Sequence, residues 1–134
     1  MPHLVIEYTA NLETEGDLPG LVRATAAILV KQRHEDRPVY PIGGVRVRAL
    51  RLDTWCMADG AADYAFVHAS LTVGSGRPEA VRKATGDALF DCMKAHFADL
   101  YARRLLALSL EMGEFSEAGT WKHNNVHARF RAGA

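Results

Sequence analysis

Residues 64–78 read YAFVHASLTVGSGRP, a strand followed by the opening of a helix. Phe66, His68 and Ser70 alternate with Ala65, Val67, Ala69 and Leu71, the period of a strand with two different faces. The glycine-bearing SGRP then starts a helix, with Pro78 near the first position, where a missing N–H is harmless. Val81, Ala84, Thr85, Ala88, Leu89, Cys92, Met93 and Phe97 give that helix one apolar stripe. Leu105 to Met112 follows as a further apolar strand.

The same order stands upstream. His3 to Tyr8 alternates, with Leu4, Ile6 and Tyr8 on one face. Asp17 is placed as the N-cap of a helix with Pro19 in its first turn. Leu18, Leu21, Val22, Thr25, Ile28 and Leu29 form its apolar face. Residues 31–44, KQRHEDRPVYPIGG, are polar and rich in proline and glycine, and read as a loop. Val45 to Leu52 alternates as a second strand, and the usual right-handed crossover makes the two strands of each unit parallel.

Two strand–helix–strand units about sixty residues apart predict an α+β fold. Two tandem β-α-β units form a four-stranded mixed sheet with both helices on one face, plus a short C-terminal strand. The chain is expected to be a single domain, 1–134, with pseudo-repeats at roughly 2–60 and 61–115 and a tail at 116–134. In that tail GTWKHNNVHARFRAGA suggests a turn and then a strand on which Val126, Ala128 and Phe130 alternate, adding to a neighbouring subunit's sheet edge. The sheet face away from the helices is expected to carry Val, Leu, Ala and aromatic residues and to be covered by an oligomer.

Composition narrows the functional classes. With 134 residues, 49% hydrophobic and 24% charged, the chain is an ordinary globular one. A formal charge of zero supplies no general pull toward nucleic acid or anionic membrane. No run approaches the roughly 18 apolar residues of a membrane span, and LVI near the start is broken by Glu7, unlike a secretory leader. Cys56 and Cys92 lack metal-like spacing and read as buried free thiols in a reducing cytoplasm.

The candidate chemistry is nitrogenous. Proline tolerates the first position of a strand, but a small residue at position two also permits removal of Met1. Pro2 would then carry a free secondary amine. Arg46 and Arg48 share a face of the second strand, and arginine clamps carboxylates with paired hydrogen bonds. Arg77 stands beside a helix start, itself a carboxylate site. If the halves pack about a local two-fold, Pro2, Arg46 and Arg77 meet at one end of the sheet, within a chain or across a subunit contact. Two cations and an apolar wall would disfavour the protonated amine and make it a general base near neutrality. The solvated-arginine reading stays open on residue pattern alone. His68 reads as a hydrogen-bonded sheet histidine. His123 and His127, about 13 Å apart if on a strand, could not share an ion, so no metal is expected.

The stretches PHLVIEYTANLE, DLPGL, VRVRALRLDTWCMADG, DYAFVHASLTVGSGR and NNVHARF together resemble the 5-carboxymethyl-2-hydroxymuconate Δ-isomerases of the tautomerase superfamily. The resemblance spans nearly the whole chain. It implies a cytoplasmic homotrimer and a cofactor-free isomerase in homoprotocatechuate (4-hydroxyphenylacetate) degradation, acting on a small dicarboxylate or tricarboxylate. Pro2 matches the family's catalytic proline, and Arg46 in GVRVR and Arg77 in GSGR match its catalytic, substrate-binding arginines. The charged loop at 31–44 departs from the pattern and bears on the pocket wall before Arg46. The alternatives are a relative acting on another unsaturated keto acid, or by hydration or dehalogenation, and a non-catalytic trimeric module.

Overall fold

A computed structural model describes residues 1–131. The chain runs β1 (His3–Thr9), α1 (Leu18–Lys31), β2 (Arg33–His34), β3 (Arg37–Pro38), β4 (Arg46–Leu52), β5 (Tyr64–Gly74), α2 (Glu79–His96), α3 (Ala98–Arg103) and β6 (Leu105–Phe115). The main sheet has the order β4-β1-β5-β6. Its outer pairs, β1 with β4 and β5 with β6, are parallel, whereas β1 and β5 at the centre are antiparallel. Two β-α-β units therefore meet back to back, as the sequence pattern predicts.

Alternation in the strands becomes burial. Leu4, Ile6 and Tyr8 of β1 and Ala65, Val67, Ala69 and Leu71 of β5 point into one core. Leu21 and Leu29 of α1 and Leu89 and Met93 of α2 close it from above, and Phe97 fills the corner between α2 and α3. Thr25 and Thr85 are buried because each hydroxyl donates to a carbonyl one turn back, Leu21 and Val81 respectively. Asp17 caps α1 by accepting from the Gly20 amide.

Four expectations change. Residues 31–44 are not a plain loop: β2 and β3 form a small hairpin in which Glu35 and Asp36 both have positive φ, the geometry of a type I′ turn. Among the described residues the expected C-terminal strand is not formed; Val126–Phe130 is a 3-10 helix. Its side chains pack on the Ile42–Gly44 turn of the same chain, and that contact wins over the weak alternation. Residues 132–134, the end of the expected tail, lie outside the described residues. Cys56 is exposed on the irregular connection after β4, and Cys92 is only half-buried. Finally, the open sheet face is mixed rather than apolar. His3, Val5 and Glu7 lie there beside Phe66, His68, Ser70 and Thr72, with the His68 ring nitrogen Nδ1 2.7 Å from the Ser109 hydroxyl.

Candidate active site

Strand register carries Pro2 and Arg46 to the same end of the sheet. His3 lies opposite Arg46 in the parallel β1–β4 pair, and the Arg46 amide donates to the Pro2 carbonyl at 3.0 Å. His3 also lies opposite Thr72, so the last residues of β5, and Arg77 just beyond them, return to that end. The three sequence-selected residues thus come together within one chain. Arg48, one strand pleat further on, instead approaches His3: its Nη1 donates to Nδ1 at 3.2 Å. Burial, then Arg48 and Arg46, depress the His3 pKa, which keeps that nitrogen free to accept.

The Arg77 guanidinium is held on three sides. Nε and Nη2 donate to the Val39 carbonyl at 3.3 and 3.2 Å, and Nη1 donates to the Gly74 carbonyl at 3.0 Å. Its Cζ lies over the Tyr40 ring, 4.8 Å from the ring centre. Tyr40 itself is 1% exposed and donates its hydroxyl to Thr85 of α2 at 2.9 Å. The apolar end of the 31–44 segment is therefore a positioning device for Arg77, while its charges lie out on the hairpin. Tyr40→Phe should lower stability by about 1 kcal/mol through one lost buried hydrogen bond, as read by urea unfolding. Because the ring remains under Arg77, its kcat/KM should stay close to that of the unmodified chain.

The amine at the chain start belongs to Met1, one residue ahead of Pro2. Its pKa is lowered by burial first, then by Arg77 and Lys122, with Glu117 opposing and Arg46 adding a smaller push downward. Met1 lines a cavity of about 270 Å³ with Pro41, Lys122, Asn124 and His127. The glycine pair makes this possible: a Cβ on Gly43 would come within 2.8 Å of the His127 ring, and one on Gly44 within 3.3 Å of Met1 Cα. Asn124 fixes the tail there by donating to the Gly43 carbonyl at 2.9 Å. Lys122, Glu117, Tyr40 and Asn124 are the members of this surround that the sequence pattern did not single out, and His127 was weighed there only as a metal ligand. The adjacent glycines were the available signal, since side-chain-free backbone often marks close approach.

The sequence profile of the 5-carboxymethyl-2-hydroxymuconate isomerase family matches residues 2–130. The chain belongs to this family. As a member of the 5-carboxymethyl-2-hydroxymuconate isomerase family it is an isomerase. The chain is 43% identical over 131 residues to the Escherichia coli 5-carboxymethyl-2-hydroxymuconate Δ-isomerase, covering 98% of this chain and all of that one. It is also similar to a 5-carboxymethyl-2-hydroxymuconate isomerase of Deinococcus radiodurans R1, with 49% identity, a TM-score of 0.89 and coverage of 97% and 94%. The fold, and only the fold, extends to a fused symmetric trimer at 12% identity and a TM-score of 0.59, covering 85% of this chain and 87% of that one. No helix among the described residues is long and apolar enough to cross a membrane.

Proposed function

We propose that the chain converts 5-carboxymethyl-2-hydroxymuconate to its 2-oxo-3-ene tautomer, with Pro2 as general base after loss of Met1. The observation that carries this reading is the meeting of Pro2, Arg46 and Arg77 at one sheet end, beside the Met1 amine, whose protonated form burial and Arg77 disfavour. Neutral Pro2 takes the proton of the 2-hydroxyl, leaving a dienolate, and the same proton is returned to C5. No atom is gained or lost. The substrate carries several carboxylates, so Arg46 and Arg77 orient it, and their donors offset the charge that develops on the enolate oxygen. A half-buried, pre-positioned cation pair does this with little reorganisation of water at the moment of reaction.

The reading places the enzyme in homoprotocatechuate breakdown in the cytoplasm, as a homotrimer without cofactor. Among the described residues the two outer strands, β4 and β6, each leave one edge unpaired, which supports assembly through sheet edges. Rapid ultraviolet change on mixing purified protein with 5-carboxymethyl-2-hydroxymuconate is the deciding assay. The same preparation should run at roughly three times 14.7 kDa by light scattering. An active monomer would remove the trimer from the proposal, and an inactive trimer would remove the substrate.

A further inference from the structure

We infer that Lys122 is the third cation of the site, a specificity-determining residue that receives the carboxymethyl carboxylate of the substrate and is held for it by Glu117. The inference rests on the isomerase reading above. It begins with a mismatch of charge. 5-Carboxymethyl-2-hydroxymuconate has three carboxylates, two from the muconate chain and one on its carboxymethyl branch, whereas the sequence pattern selected two arginines.

Both arginines already spend hydrogen-bond donors on the fold. Arg77 donates to Val39 and Gly74, and Arg46 Nη1 donates to the Gly44 carbonyl at 3.1 Å. Lys122 is differently placed. Its ammonium has three donors, and the Glu117 carboxylate takes one of them at 2.7 Å. The side chain lines the cavity that Met1 lines, so an anion beside the chain start lies in reach of it. Among the charges felt by the amine, that of Lys122 ranks behind Arg77 and ahead of Arg46, which independently marks its nearness.

Glu117 supplies the orientation. A Cβ on Gly74 would lie 2.7 Å from Glu117 Oε1, so one carboxylate oxygen rests over the exit of β5 while Oε2 grips Lys122. Lys122, then the amine and Arg77, hold the Glu117 carboxyl below its usual range, so the ion pair persists through neutral pH. A flexible ammonium is thereby fixed at the mouth of the site by an anchor just beyond β6, at the same sheet end that presents Arg77 beyond β5. Lysine is a compact point charge, suited to a carboxylate on a short flexible branch, while the planar arginines suit the conjugated chain.

Steady-state kinetics on two substrates test this. 5-Carboxymethyl-2-hydroxymuconate carries the branch, and 2-hydroxymuconate lacks it. Lys122→Ala should raise KM for the tricarboxylate by about tenfold or more, the size expected for losing a charge-assisted hydrogen bond. Measured on the alkaline plateau, where the base is neutral whichever charge is removed, its kcat should hold, and KM for the dicarboxylate should change much less. The double variant Lys122→Ala with Glu117→Gln removes the orphaned carboxylate and should keep the tricarboxylate defect. Recovery in the double variant would mean that Lys122 merely neutralises Glu117, and equal losses on both substrates would mean a general field; either overturns the inference. Turnover of the tricarboxylate by the unmodified protein separates the two levels. If it is absent, the isomerase reading falls and this inference with it; if it is present and Lys122→Ala behaves like the unmodified protein, only the inference falls.

Discussion

Protein that keeps Met1 is expected to lack isomerase activity, and specific activity should scale with the fraction of chains that have lost it. An amide nitrogen has no basic lone pair, so retention deletes the proposed base outright, a loss of about 10²–10⁴-fold for a general base. Retention also obstructs. Met1 lines the small cavity with Lys122, Asn124 and His127 and stands against Gly44, in the space where substrate would approach Pro2. Removal exposes the base and clears its approach together. Intact-mass spectrometry and activity on the same preparations give the measurement, with partial processing supplying intermediate points. Full activity from chains bearing Met1 would sink the proline mechanism. Pro2→Ala, which also permits processing but leaves a more flexible primary amine, should lower kcat more than it raises KM, because the group acts on the transition state.

The parts of the fold and site that were legible in the sequence are those dictated by period and by covalent peculiarity. Burial alternates in β1 and β5 up to their last residues, Thr9 and Gly74, because one face of each strand is buried and a one-residue slip would turn the core outward. The two proline-marked helix starts are equally local. The placement of Pro2, Arg46 and Arg77 at one sheet end was legible because the duplicated β-α-β order fixes which strand ends are neighbours before any contact is known. What was hidden depends on tertiary contact. The Val126–Phe130 segment alternates like a strand, yet packing on Gly43 and Gly44 coils it into a 3-10 helix. Tyr40 sits in a segment whose composition reads as solvated, but it is buried because its ring lies under Arg77 and its hydroxyl finds Thr85. Lys122 belongs to a tail with no periodic signal, and only the return of that tail to the chain start brings it to the amine. The apolar open face was over-read: Glu7, His68 and Ser70 occupy positions where alternation shows only that a second face exists.

Arg77→Ala should reduce kcat/KM by about 10²–10³-fold, the range for losing a donor aimed at developing negative charge. The more diagnostic effect is on the pH profile. The base works only when neutral, so kcat/KM rises with pH through the amine's pKa and levels off above it. The amine that heads the chain in the structure, on Met1, has its pKa lowered first by burial and then by Arg77, and a Pro2 amine freed beside it would stand in the same field. Removing the guanidinium removes a positive charge that opposes protonation. The amine's pKa therefore rises, the acid limb moves to higher pH, and part of the activity lost at pH 7 returns in alkaline buffer. Arg46→Ala should move the limb less, since the Met1 amine at the same place feels Arg46 more weakly than Arg77. Arg77→Lys keeps the charge but loses the fork that spans Val39 and Gly74, so it should preserve the limb while sacrificing rate. Loss of the Arg77 anchor alone could slow catalysis by loosening the site, but it would leave the limb where it was. An Arg77→Ala profile with an unmoved acid limb would leave Arg77 a structural clamp on the 31–44 segment rather than a partner of the base.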